Sequence, residues 1–329
     1  SQAMVFLILF GIVSLFSDMT HEGASSIRGA YLALLGASAG AIGFISGLGE
    51  LIGYSMRYLF GRVTDRTRSY WPMVILGYVL DIIAVPTLAL VGEHGWIAAC
   101  LLLVVQRMGK AIKKPAKDTI MSFAASQEGA GRSFGLQELL DQIGAFLGPV
   151  LLWLVMLGRT DASPIRTYSL CFAVLAIPGG ITLLLLLYTR SRFPNPEQFE
   201  PEPKEYIPFR MKKSFILYIA GISLFAFGFI DYSLIVMHIS RTAASLSGAV
   251  SLITEETLPL LYAGAMLIDA VSALFFGFLY DRIGVRSLIF STLLSSGFAV
   301  FVFSMHSVPA LLVGIALWGI GMGAQESIL

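Results

Sequence analysis

The sequence predicts an all-α membrane protein built from two similar helical bundles, the second incomplete. Three observations lead there. Of 329 residues, 56% are hydrophobic and only 13% charged, against roughly 25% charge in a soluble domain; mean hydropathy is +0.79. Ten apolar runs are each long enough to cross a bilayer as helix, which takes about 20 residues. A short phrase also occurs twice: Gly61-Arg62-Val63-Thr64-Asp65-Arg66 follows one apolar run and Gly277-Phe278-Leu279-Tyr280-Asp281-Arg282 closes another. The copies start 216 residues apart (277 − 61), the reach of six membrane helices with their loops. The runs are continuous rather than alternating, which excludes a β-barrel pattern.

The ten runs are 4–35, 39–60, 70–91, 96–122, 133–157, 165–188, 214–240, 258–279, 285–306 and 308–329. Ser1 to Ala3 read as a cloning remnant before a native start at Met4, and the first run is too long for a signal peptide. Residues 4–189 form a six-helix bundle and 214–329 a four-helix remainder. Between them, 190–213 is polar and rich in proline, a linker. Arg62, Arg66, Arg68, Arg132, Arg190, Arg192, Lys204, Arg210, Lys212, Lys213, Arg282 and Arg286 follow even-numbered runs, whereas the opposite side has chiefly Arg159, Arg166 and Arg241. Basic loops stay in the cytoplasm, so the N-terminus is expected there too, with the protein in a prokaryotic inner membrane.

Each run adds its own chemistry. The first holds Asp18, His21 and Glu22 at i, i+3 and i+4, with Ser25 on the same face. Mixed nitrogen and oxygen ligands at that spacing could bind a metal, but no second cluster completes a shell, so no metal is expected. The second places Glu50 near the midplane on one face with Tyr54 and Arg57; the third carries Asp81 at similar depth. Three acidic helices in one bundle suggest a shared polar cavity. In the fourth, Arg107, Lys110, Lys114 and Lys117 step by three or four into one stripe. Arg107 lies about 16 Å in from Trp96 at 1.5 Å per residue. Lys113, Lys114 and Lys117 approach the interface, where long side chains snorkel. The fifth offers Glu138 and Asp141 on one face. Because an unpaired charge in hydrocarbon costs about 3 kcal/mol, ion pairs from these two acids to Lys110, Lys113, Lys114 or Lys117 are predicted. Gly135, Gly144 and Gly148-Pro149 give the fifth helix a smooth face and a bend. Asp231 in the seventh run sits about as deep as Asp18 in the first, and Asp269 in the eighth is near the midplane. A carboxylate in a low-dielectric interior holds its proton more tightly than one in water, so such acids can exchange protons near neutral pH. Cys100 and Cys171 lie in apolar runs and read as buried small residues. No nucleophile elbow, phosphate loop or zinc-protease motif is present.

The duplicated phrase, at matching places in two bundles, resembles the signature of the major facilitator superfamily, found there between helices 2 and 3 and again between helices 8 and 9. The resemblance covers 4–329 as the first ten of twelve helices and implies a chain cut short of two. It implies bundles related by a pseudo-two-fold axis along the membrane normal, with substrate bound between them and exposed alternately. Gly61, Asp65 and Arg66, with Gly277, Asp281 and Arg282, would then form a latch holding the outward-facing state. Arg68 stands where the family has glycine, while the second copy keeps Gly284. Leu103-Val104-Val105-Gln106-Arg107 resembles the start of the family's helix 4 signature, which implies a proton-coupling role for Arg107, although the later glycine is displaced to Gly109. Gly135, Gly144, Gly148 and Pro149 follow the start of the antiporter signature, but Leu152 and Trp153 replace its closing glycine pair.

A transporter rather than an enzyme is therefore expected, without cofactors and as a monomer. Its partners would be a small-molecule substrate, protons and the lipid bilayer. A formal charge of +1 gives no global pull toward nucleic acid. The leading expectation is proton-coupled export of an organic solute or drug, using Asp18, Glu22, Glu50, Asp81, Arg107, Lys110, Asp231 and Asp269. Import or exchange of organic anions is the alternative if Arg107 and Lys110 face the cavity unpaired. A non-transporting receptor or scaffold would need neither the latch phrases nor the midplane charges.

Overall fold

Helices, with short 3-10 turns, are the only regular structure among the described residues of the computed structural model: 1–158, 163–201, 211–242, 253–304 and 307–328, less the side chains at 130–132, 134, 214, 281, 285 and 326–328. Arg159, Lys204 and Arg210, and the side chains of Arg132 and Asp281, lie outside that description.

The first five runs form single helices: α1 (Gln2–Leu34), α2 (Ala39–Thr67), α3 (Tyr70–Thr87), α4 (Trp96–Glu128) and α5 (Ala130–Leu157). Ser38 caps α2 by accepting from the Ala41 backbone N–H at 3.1 Å. The sixth run divides into α6 (Pro164–Val174) and α7 (Ala176–Arg192). Pro178, four residues beyond Val174, has no N–H to bond that carbonyl, and the helix is interrupted at Leu175. The seventh, expected to be continuous, is broken into α8 (Lys213–Gly228) and α9 (Tyr232–Thr242). Asp231 stands at the break and caps α9: its Oδ1 accepts from the Ser233 N–H at 2.8 Å. The eighth is α10 (Leu258–Ile283). The ninth splits into α11 (Ser287–Ser295) and α12 (Phe298–Phe303), interrupted at Ser296-Gly297, and the tenth is α13 (Val308–Ile328).

Seven stretches combine spanning length with spanning hydropathy among the described residues. The expected ten fall short for physical reasons. α2 and α4 have 29 and 33 residues, but line a polar interior and carry its charges; the ninth is interrupted. Both copies of the repeated phrase lie within the last turns of α2 and α10, not in loops as their basic character suggested.

α1 is the central element, packed along α5 and also touching α4, α7, α9 and α10; α4 packs chiefly against α3 and α2. Gly144 and Gly148 make the α1–α5 approach possible. A Cβ at Gly148 would stand 2.8 Å from the Gly23 backbone nitrogen, and one at Gly144 would strike the Leu15 carbonyl. Gly135, read with them as part of the same smooth face, looks onto open space. The halves meet where α9 packs on α1 and α2, and where α10 packs on α5 and α1. Phe193 and Phe199, in the segment expected to be a linker, are buried with Phe6, Phe10 and Trp71, and the Trp71 indole donates to the Phe193 carbonyl at 2.9 Å.

The end of each repeated phrase needs an unusual backbone. Arg68 ends α2 in the left-handed region at φ 52°, and Gly284, 216 residues later (284 − 68), ends α10 at φ 64° and ψ −145°. Only glycine adopts the second conformation readily. Gly284→Ala should therefore cost about 1–3 kcal/mol, read as a lower unfolding midpoint in detergent, whereas Arg68→Gly should cost nothing. Equal effects would mean that the two turns are not backbone-limited.

Candidate functional site

Polar side chains of α1, α2 and α4 face an aromatic wall from α9, α10 and α13 across a cavity of about 580 Å³. A chain of charges crosses it. Glu50 of α2 pairs with Arg107 Nη1 of α4 at 2.5 Å, and Arg107 Nη2 reaches Asp231 at 3.5 Å. Asp231, at the α8–α9 break, takes Arg28 Nη2 of α1 on both carboxylate oxygens at 2.9 and 3.0 Å. Arg28 Nε donates to Ser233 Oγ at 2.8 Å. Two arginines and two carboxylates thus link three helices of the first half to the break in the second. Arg28 is 8% exposed, so its charge depends on Asp231. Glu22 accepts from the Tyr262 hydroxyl of α10, a further link between halves.

A second cavity, of about 480 Å³, shares Glu22, Lys110, Tyr262 and Met322 with the first. Asp18, Lys114, Lys117, Glu138, Asp141 and Asp269 line it. The predicted ion pairs between α4 and α5 do not form among the described residues. Lys114 pairs with Asp118 of its own helix at 3.5 Å, Lys117 donates to Ser14 at 2.5 Å, and Lys113 goes to Asp81. Asp141 accepts from Gln137 and Glu138 from Gln142, at 2.8 and 3.1 Å. The reason is packing: α1 fills the face of α5 that the prediction gave to α4, so the acids and lysines meet across a cavity.

Asp81 is absent from the walls of both cavities, contrary to expectation, and is fully buried between α1, α3 and α4. Gln106 Nε2 donates to His21 Nδ1 at 2.7 Å, which leaves the His21 proton on Nε2, where it is donated to Asp81 Oδ2 at 2.7 Å. Lys113 Nζ reaches the same oxygen at 2.5 Å and lies 3.8 Å from the Tyr78 ring centroid. His21, the nitrogen ligand of the metal alternative, is thereby committed to Asp81 and Gln106.

Asp65 and Arg66 are exposed, and the Asp65 side chain makes no hydrogen bond or ion pair among the described residues. Arg282 lies over the Phe278 ring at 4.3 Å. Gly61 packs on Pro115 of α4, where a Cβ would have ordinary contact at 3.7 Å.

Reading the sequence missed Arg28, Gln106, Tyr262 and Trp318. Arg28 carried a usable signal: it is a cation within the first apolar run, where charge is costly without a partner. The aromatics carried none, because rings are common in membrane helices.

Similarity to known proteins agrees with this architecture. A sequence model of the Major Facilitator Superfamily matches residues 1–254. An uncharacterised protein of Mycobacterium tuberculosis is 36% identical over 334 residues, covering all of this chain and 78% of the relative. An uncharacterised MFS-type transporter of Methanocaldococcus jannaschii is 26% identical over 322 residues, covering 95% of this chain and 75% of the relative. Among solved structures, the nucleoside transporter NupG superposes with a TM-score of 0.68 at 16% identity, covering 97% of this chain and 79% of that one. A bacterial homologue of the human lysosomal transporter Spinster, inward-facing and occupied, gives 0.66 at 16%, covering 98% and 73%. The chain belongs to the major facilitator superfamily, and is a multi-pass membrane secondary transporter rather than an enzyme.

Proposed function

We propose that the protein moves a small organic solute by alternating access, coupled to protons and in the direction of export. The observation that carries this reading is the chain Glu50–Arg107–Asp231–Arg28. Its members come from both halves, so rocking one half against the other must stretch or break it. A proton on either carboxylate removes a charge from the chain and weakens it, which ties proton binding to movement. The solute site is the central cavity, with Glu22 and Lys110 on its wall; Asp18 and Asp269 serve the passage beyond it, and the turns ending α2 and α10 act as latches on the cytoplasmic side. Export rests on the antiporter-like glycines of α5. The monomer is the working unit, in a prokaryotic inner membrane with the N-terminus in the cytoplasm.

Purified protein in proteoliposomes, offered labelled amino acids, nucleosides, sugars and carboxylates with and without a pH gradient, tests the reading. Gradient-dependent uptake is the expected result; identical rates in both conditions would refute proton coupling. Glu50→Gln keeps shape and hydrogen bonding but cannot release a proton. It should abolish gradient-driven uptake while equilibrium binding persists. Unchanged driven uptake would remove Glu50 from the mechanism.

A further inference from the structure

Charge accounting around the central cavity identifies the class of its occupant. Three carboxylates, Glu22, Glu50 and Asp231, and three fixed cations, Arg28, Arg107 and Lys110, line it. Four neutralise one another in the chain that ends at Arg28. Lys110 and Glu22 remain, and they attract one another across more than 4.0 Å. Neither has an ion-pair partner within 4.0 Å among the described residues, and Glu22 is held only by the Tyr262 hydroxyl. Both stand on the wall common to the two cavities. Arg107, an anchor for an organic anion if it were unpaired, is consumed by Glu50 and Asp231.

The opposite wall is built of rings. Tyr232 and Trp318 have centroids 5.0 Å apart, and Phe229 stacks on Trp318 at 5.8 Å and 20°. The Trp318 indole is held by a 3.1 Å bond to the Ile230 carbonyl, so the wall is fixed. A flat apolar ring gains most from such a surface. A solute bearing only an anion would leave Glu22 unanswered, and one bearing only a cation would leave Lys110 unanswered; an unanswered charge is costly once the cavity closes over the solute.

We propose that the solute is amphoteric and ring-bearing: an anionic group on Lys110, an ammonium on Glu22, and a flat ring against the wall that Phe229 forms with Tyr232 and Trp318. A volume of about 580 Å³ suits a molecule of that size, since small-ligand sites run from about 300 to 1,000 Å³. This rests on the central cavity being the solute site.

The test is equilibrium binding to the full purified chain with three probes of one ring system: L-tryptophan, indole-3-acetate and tryptamine. Tryptophan should bind at least tenfold more tightly than either relative. Glu22→Gln should erase its advantage over indole-3-acetate, and Lys110→Gln its advantage over tryptamine, with unfolding midpoints unchanged. Lys110→Met serves if the glutamine variant does not fold. No preference among the probes, or variants that weaken all three alike, would overturn the proposal. If no probe binds but the proteoliposome panel yields a solute without opposite charges, the class is wrong and transport stands. Charge-selective binding with no solute transported would leave the site and remove the transport reading.

Discussion

Asp81→Asn should destabilise the protein by about 3 kcal/mol, the scale for removing one partner of a buried ion pair. Asparagine has nearly the same shape, so the loss comes from charge. The asparagine oxygen can still accept from Lys113 Nζ, but every partner left to that ammonium, with the Ser17 hydroxyl at 3.3 Å and the face of Tyr78, is then neutral. An ammonium with those partners, 8% exposed at the edge of the second cavity, has little access to water. The His21 ring would also lose a charged acceptor, although Gln106 still holds its other nitrogen. The measurement is thermal unfolding in detergent, followed by tryptophan fluorescence. The double change Asp81→Asn with Lys113→Met should recover most of the loss, because the stranded charge leaves with the lysine. A single variant as stable as the parent, or a double variant worse than the single, would show that the triad does not hold the first bundle together.

Asp81 also shows where the sequence was legible and where it was not. Its depth could be counted along a helix, and an acid at that depth needs a partner. Which partner was a question of helix neighbours, and spacing along one helix does not specify them. The cost of unpaired charge directs the lysines of α4 to Glu138 and Asp141 of α5. Gly144 and Gly148 instead admit α1 onto α5 at backbone distance, and Lys113 turns to α3. The glycines are legible as a packing face, but nothing in their spacing names the helix that uses it. Glu50 and Arg107 were legible as midplane charges on two helices, and they meet at 2.5 Å. The second half of that network was hidden. Arg28 lies among the small residues that end α1, and the hydrophobic run over 214–240 masks the break that frees Asp231. Its mark in the sequence is slight: Gly228, then Asp231 two residues before Ser233, the spacing of an N-cap. The duplicated phrase was the most legible feature, because 216 residues also separates Arg68 from Gly284, the positive-φ ends of α2 and α10.

Arg107→Lys should lower gradient-driven transport at least tenfold, with little change in unfolding midpoint. The wild-type guanidinium meets two carboxylates with two different nitrogens, Nη1 on Glu50 and Nη2 on Asp231. It is planar, so both contacts are held in one geometry; an ammonium on a flexible stem must favour one acid over the other. Charge is conserved, and the side chain is partly open at 23% exposure, so the folded state should tolerate the exchange. What is lost is the simultaneous link from α2 through α4 to the break before α9. With lysine, release of one acid no longer pulls on the other, and a proton on Glu50 is no longer felt at Asp231 or at Arg28 behind it. The same uptake assay in proteoliposomes reads this, run with a solute that the unaltered protein carries. Solute exchange at equal pH on both sides should survive better than gradient-driven accumulation, since exchange needs movement but no proton. If both fall together, Arg107 serves solute binding rather than coupling; if neither falls, the chain of charges is a static brace and the proton acts elsewhere.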